Sequence, residues 1–144
     1  MHNPAPNPLL GANASSILEA QVFRARPDVI SRTAWTPFTA TRTGWTDVGS
    51  PTVTARYSQI KNVCYFQVKV VPGTTVATVA GTSYVNLPIT AFGFTGEGSM
   101  TDLTTLIGIG NCVIDSTNSR VYVPTQTATG DTLVIGGWFE VGAN

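Results

Sequence analysis

Residues 52–71 read TVTARYSQIKNVCYFQVKVV, and this stretch predicts one long β-hairpin. Apolar and more polar residues alternate through its second half, which is the period-2 pattern of a strand with one buried face. Lys61-Asn62 supplies the turn, because asparagine tolerates the positive φ that tight hairpin turns need. The apolar positions of the second strand are Cys64, Phe66, Val68 and Val70. A chain organised around such a hairpin is predicted to be built from antiparallel strands.

Short strand-like segments separated by turn-forming residues continue on both sides of the hairpin. Pro37 places residues 35–43 at a sheet edge, because proline cannot donate a hydrogen bond to a central ladder. Residues 93–102, GFTGEGSMTD, have the composition of the most flexible loop of the chain. Gly136-Gly137 in the last strand predicts a bulge or the close approach of another backbone.

About eight short strands with regular turns, and no helical segment after residue 34, predict an all-β fold. We expect an antiparallel two-sheet sandwich, jelly-roll-like, over residues 34–144. The alternation of apolar residues also predicts which side chains are largely buried. These are Phe66, Val68, Val70, Val113, Val121, Val134 and Trp138.

Residues 1–33 differ from the rest, since Pro4, Pro6 and Pro8 alternate with small and polar residues. This composition favours extended, solvated backbone. Residues 17–24 fit a short helix after a capping box, and they fit an added strand about equally well. The sequence therefore predicts an extended N-terminal arm in front of the β-domain.

The arm is predicted to anchor the protein to a partner. It buries too little of its own apolar surface to offset the entropy of ordering its backbone, so other chains should supply the missing contacts. The alternative is an arm that folds back on its own sandwich. The expected contacts are six apolar anchors and three arginines that pair with carboxylates of the partner, namely Ile17, Leu18, Val22, Phe23, Val29, Ile30, Arg24, Arg26 and Arg32.

The charge balance argues against nucleic acid and membrane as partners. Charged residues make up 11% of the 144 residues, and eight basic residues match eight acidic ones. No apolar run approaches the roughly 20 residues that span a bilayer, and the first ten residues lack the pattern of a secretory signal. We therefore expect a soluble protein made in a cytoplasm.

The residue inventory predicts no catalytic centre, no cofactor and no metal. His2 is the only histidine, which excludes a histidine-dependent nucleophile in the β-domain. Cys64 and Cys112 match no metal spacing and are predicted to be buried free thiols. Glu97 with Asp102 is the carboxylate pair that a glycosidase would need, but solvated surface is the preferred interpretation. Core or interface positions are predicted, ahead of sugar stacking, for Trp35, Trp45 and Trp138.

Four short motifs, in this order along the chain, resemble structural proteins of tailed bacteriophages. They are Trp35-Thr36-Pro37, RYSQIKNVCYF at 56–66, Leu87-Pro88-Ile89 and GDTL at 130–133. The similar motifs in that family are a WTP opening, an RYxxIGNxVxF-like hairpin, an LPF-like strand and a closing GDTL-like segment. Lys61 stands where the family usually has glycine, and Ile89 where phenylalanine is common. The resemblance covers residues 35–141 and points to the small β-sandwich module of tail fibres, head fibres and capsid decoration proteins.

This resemblance implies a virion structural protein that assembles as a homotrimer and is not an enzyme. A capsid decoration (cement) protein, which binds the phage head and stabilises it, is the leading expectation. Its partners would be copies of itself and the major capsid protein or another virion protein. The alternative is a receptor-binding protein of a head or tail fibre, whose loops at 93–102 and 125–131 would contact a host surface glycan.

Overall fold

A computed structural model describes residues 34–142, which contain twelve β-strands and no helix. The nine predicted arm contacts lie outside the described residues. The strands are β1 Thr36–Phe38, β2 Arg42–Thr43, β3 Thr46–Val48, β4 Thr52–Ile60, β5 Val63–Val71, β6 Thr75–Thr78, β7 Tyr84–Asn86, β8 Ala91–Asp102, β9 Ile107–Asp115, β10 Arg120–Tyr122, β11 Gln126–Thr129 and β12 Leu133–Val141.

All strand pairings are antiparallel, and the strands divide unequally between two sheets. The large sheet has the order β1-β4-β5-β12-β8-β9-β10-β7-β2, and the small sheet the order β11-β6-β3. β1 and β2 lie at opposite edges of the large sheet, although only residues 39–41 join them. Because such a link spans at most about 14 Å, the large sheet must curl until its edges approach each other. The predicted all-β, antiparallel, sandwich-like fold is confirmed.

The central hairpin is confirmed in register and in its turn. β4 and β5 pair along their whole length, from Thr52 opposite Val71 to Ile60 opposite Val63. The turn residue with positive φ is Lys61, at 53°, whereas the sequence pattern assigned this role to asparagine. β1 pairs only with β4, so Pro37 does lie on an edge strand, as predicted.

The core lies on the inner face of the large sheet. Four of the seven predicted core residues, Phe66, Val68, Val70 and Val121, are fully or almost fully buried. Val76 and Ala128 of the small sheet are also buried in this cluster. The rings of Phe66 and Phe139 pack at the centre with their centroids 5.9 Å apart.

Of the other three predictions, the one for Val113 was wrong, and Val134 and Trp138 lie outside the core cluster. Val113 is 64% exposed, and Val134 and Trp138 are only half-buried. Both faces of the last strand are largely apolar, so alternation alone does not decide which face turns inward. Pairing decides it: Phe139 lies opposite Cys64 and Ile135 opposite Val68, which places the other set outward. A shift of one residue in a strand moves every side chain to the other face.

The predicted flexible loop at 93–102 was also wrong, since these residues belong to β8, the longest strand. Two of its positions need glycine, because neighbouring atoms leave little room for a side chain. A Cβ on Gly96 would lie 2.9 Å from Cγ1 of Ile114, and one on Gly98 would lie 3.1 Å from Cβ of Cys112. Glycine within a strand often marks such a close approach. From the sequence alone, the same glycines indicated a flexible loop.

Two four-residue hairpin turns have the same arrangement of an aspartate before the turn and a positive-φ residue at its end. The β8–β9 turn follows Asp102 and ends at Leu106, and the β9–β10 turn follows Asp115 and ends at Ser119. In each turn the aspartate carboxylate accepts a backbone N–H from within the turn. The last residue of each turn has positive φ, 60° at Leu106 and 53° at Ser119.

Candidate functional site

Residues 34–142 contain no cluster of three or more His, Cys, Asp or Glu side chains that could hold a metal ion. The carboxylates considered for glycoside hydrolysis do not form a pair. Glu97 is exposed and Asp102 is buried, five positions apart on the extended strand β8. At about 3.3 Å per residue their backbones are separated by roughly 16 Å, whereas a retaining glycosidase holds its carboxyl groups about 5 Å apart.

The two cysteines are buried free thiols, as predicted. Burial in apolar surroundings raises the pKa of Cys64 to about 11 and the pKa of Cys112 to about 12. Both side chains are therefore thiols at neutral pH, and the thiolate is the form that attacks an electrophile or binds a metal. Neither cysteine is suited to chemistry in the folded protein.

We expect the folded protein to be unreactive towards Ellman's reagent at pH 8. With a pKa of about 11, roughly one thiol in a thousand is ionised at that pH. Unfolding the chain in denaturant should restore the ordinary pKa and release both thiols to the reagent. Rapid labelling of either cysteine in the native protein would contradict this burial.

One exposed apolar feature stands out, and we call it the tip. It consists of Leu103, Leu106 and Ile107 at the β8–β9 turn, whose side chains are 46%, 81% and 61% exposed. Single exposed leucines are common on protein surfaces. Three exposed aliphatic side chains at one turn concentrate apolar surface there, and exposed apolar patches mark sites of interaction.

Hydrogen bonds hold the tip in place. The Asp102 carboxylate accepts the backbone N–H groups of Thr104 at 2.8 Å and Thr105 at 3.2 Å. Thr132, which immediately precedes β12, donates its backbone N–H to Oγ1 of Thr104 at 3.0 Å, and its carbonyl accepts the N–H of Leu103 at 2.8 Å. The tip is thus built as a fixed structure.

The charge of Asp102 supports the same turn. The Thr105 hydroxyl, together with the backbone N–H groups of Thr105 and Thr104, lowers the pKa of this carboxyl. Because folding lowers the pKa, the stabilisation is present above the unfolded pKa of the carboxyl and is lost as the pH falls through its folded value. At neutral pH the turn is fully capped.

The choice of leucine at position 106 is not explained by the turn itself. A bulky residue at positive φ is an outlier, and it costs on the order of 1 to 2 kcal/mol. The matched turn places Ser119 at the equivalent position, where its hydroxyl accepts the backbone N–H of Ala91 at 3.0 Å. Leu106 has no such internal role, because most of its side chain is in solvent.

A second feature lies on the solvent-facing side of β4, β5 and β12, which we call the outer face. Arg56 and Gln67 are opposite each other in the β4–β5 ladder. The Arg56 guanidinium donates from Nε at 2.9 Å and from Nη2 at 2.7 Å to Oε1 of Gln67, and it lies 4.8 Å from the centre of the Trp35 ring. Arginine has five N–H groups, so three remain without a partner among the described residues.

A groove of about 430 Å³ runs along the outer face beside Arg56. Lys69 is exposed in it, two positions from Gln67 on the same side of β5. Its apolar side comes from β12 and from the tip. The lining residues are Thr54, Arg56, Gln67, Lys69, Leu103 and Val134.

Aromatic side chains flank the row of Arg56 and Gln67 on the other side. Tyr65 and Trp138 are directly opposite each other in the β5–β12 ladder, so they share the outer face. Trp35, on which Arg56 stacks, is exposed at the edge of the sheet. The third tryptophan differs: Trp45 packs against the core and donates Nε1–H to the carbonyl of Tyr84 at 3.2 Å.

The residues that compose these two features were not predicted as site residues. The outward positions of the central hairpin, Gln67 and Lys69, were visible as the polar half of its alternation. Arg56 had no such signal, because its importance comes from stacking on Trp35, which lies outside the central hairpin. Leu106 belongs to an apolar segment, and no local pattern shows that it points into solvent.

No protein-family model, no curated protein and no solved structure matches this chain. Residues 34–142 contain no helix with the length and apolar character needed to cross a membrane.

Proposed function

We propose that this chain is a virion structural protein of the capsid-decoration class, which binds the phage head as a homotrimer and stabilises it. The motif resemblance supports the class of protein. The tip supports the mode of action, because it is a fixed apolar surface suited to contact with another protein. Partners are other copies of the chain and the major capsid protein or another virion protein.

The observation that carries this proposal is Leu106. Its side chain is 81% exposed at a backbone conformation that disfavours leucine, in a turn whose other residues are fixed by hydrogen bonds. Transfer of one leucine side chain from water to an apolar contact contributes about 1.5 to 3 kcal/mol. Such a gain on binding accounts for a leucine whose side chain is mostly exposed in the folded chain.

We expect the protein to decorate the head through several weak attachments that act together. Binding to the assembled head, and not to its dissociated subunits, stabilises the assembly by mass action. The tip and the arm would be two attachment points on each chain, and three chains would multiply them, which raises the avidity without any new kind of contact. Light scattering at micromolar concentration is expected to give three times the mass of the chain, and a monomer would contradict the trimer.

Leu106→Gly is expected to make the fold more stable and to weaken binding to phage heads. Glycine adopts positive φ without a steric cost, so the variant should be more stable by about 1 kcal/mol. The same change removes the apolar side chain, so its affinity for heads prepared without the native protein should fall at least about tenfold. Thermal unfolding and co-sedimentation with such heads measure the two effects.

The control is Val48→Asp, which changes an exposed apolar residue on β3 of the small sheet. This variant should bind heads as the wild type does. Unchanged binding by Leu106→Gly would contradict the tip as the contact. Phe23→Asp in the full chain tests the arm by the same assay, where reduced binding is expected.

A receptor-binding role in a head or tail fibre is the second candidate. The outer face favours it, because exposed Tyr65 and Trp35 with half-buried Trp138 offer rings on which a host glycan can stack beside the donors of Arg56. The loops expected to carry this role do not support it, since residues 93–102 are within β8 and residues 126–129 form β11. Electron microscopy of labelled particles separates the two candidates by locating the protein on the capsid or on a fibre.

A further inference from the structure

We infer that the groove on the outer face binds an acidic, partly apolar segment of a partner protein. The inference rests on the proposed function in one respect, namely that the partner is a protein. It depends on residues other than Leu106, and it names the chemistry that the groove recognises: carboxylates placed against Arg56 and Lys69, with aliphatic side chains between them.

The groove carries positive charge. Among residues 34–142, Arg56 and Lys69 both line it and no carboxylate does. The one salt bridge within residues 34–142 joins Arg42 to Asp47, so neither cation of the groove has an ionic partner there. In a protein with a formal net charge of zero, two cations in one groove with no ionic partner among the described residues form a local positive surface. Its electrostatic complement is a negatively charged ligand.

The Arg56 side chain is already held in place before any ligand binds. Stacking on Trp35 and two hydrogen bonds to Gln67 fix the plane of the guanidinium. A fixed guanidinium loses little side-chain entropy when it binds, and its remaining N–H groups match the two oxygens of a carboxylate. Lys69 adds a flexible point charge further along the same groove.

The lining of the groove favours a protein segment over a polysaccharide. The groove is lined by aliphatic Leu103 and Val134, whereas the rings of Tyr65 and Trp138 are not part of its lining. Sugars bind by stacking on rings, whereas aliphatic walls suit apolar side chains. Leu103 also belongs to the tip, so the groove and the tip are continuous. An extended segment that presents acidic and apolar residues to the two sides of the groove fits this arrangement.

The test uses the full chain and a fluorescein-labelled peptide in which Glu and Leu alternate, followed by fluorescence anisotropy. We expect binding that weakens as the salt concentration rises, because the contact is partly exposed. Lys69→Gln should weaken it about threefold to fivefold, and Arg56→Gln at least about tenfold. Arg56→Lys should fall between Arg56→Gln and the wild type, since it keeps the charge and loses the planar fork. The control Lys61→Gln removes the same charge at the far end of the hairpin and should bind as the wild type does.

The matched peptide with Gln in place of Glu should not bind, and circular dichroism should show that every variant is folded. Equal peptide binding by the wild type and by the Arg56→Gln variant would overturn the inference. Binding of polygalacturonate but not of the peptide would also overturn it, in favour of an acidic polysaccharide. A failure of the decoration proposal is seen separately, in the head-binding assay with Leu106→Gly, because that variant leaves Arg56 and Lys69 in place.

Discussion

Gly137→Ala is expected to destabilise the fold by about 3 kcal/mol, because the new methyl group has no space. A Cβ at this position would overlap the carbonyl oxygen of Glu97 and lie 2.7 Å from Cα of Gly98. Both atoms belong to the backbone of β8, so relief requires β12 and β8 to separate. This pairing is among the longest of the large sheet, with partners from Leu133 to Val141. Urea unfolding followed by tryptophan fluorescence measures the loss.

Gly136→Ala is the matched control, one residue away in the same strand. Its nearest neighbours, the Phe66 carbonyl oxygen at 3.6 Å and Cγ of Gln67 at 3.7 Å, leave ordinary contact distances. Alanine also loses less backbone entropy on folding than glycine does. We therefore expect a change of less than about 1 kcal/mol, towards greater stability. Equal destabilisation by the two substitutions would show that β12 and β8 do not approach each other as described.

Phe139→Ala is expected to cost about 3 to 5 kcal/mol of folding free energy. Phe139 is completely buried in β12, and its ring packs against Phe66 across the β5–β12 ladder. Alanine removes the ring and leaves a cavity in the centre of the core, which the surrounding strands can fill only in part. Since a domain of this kind is stabilised by about 5 to 15 kcal/mol in total, the variant should unfold at a much lower denaturant concentration.

Phe92→Ala is the control for this prediction. Phe92 is on the neighbouring strand β8 and is 68% exposed. Removal of a mostly solvated ring loses little burial, so we expect a change of less than about 1 kcal/mol. Comparable losses for Phe139→Ala and Phe92→Ala would contradict the assignment of the inner face of β12.

The candidate surfaces were less predictable than the fold. The tip depends on Leu106 pointing outward, which follows from the Asp102 turn and not from the apolar pattern around it. The groove depends on Arg56, Gln67 and Lys69 meeting across two strands. Their sequence positions show an outward-facing alternation. The stacking partner Trp35, however, lies just before β1, and the apolar side comes from Val134 of β12. Sites assembled from several strands leave no continuous motif in the chain.

The sequence by itself determined the strand class, the central hairpin and the inner face of β5, because period-2 alternation and turn chemistry are local properties. It also indicated either a bulge or the close approach of another backbone at Gly136-Gly137, and the close approach is found at Gly137. Only the tertiary structure decided that Phe139 and not Trp138 is buried, that Val113 faces solvent, and that residues 93–102 form a strand. The reason is physical: where both faces of a strand are apolar, or where glycines interrupt it, the neighbouring strands select the buried face.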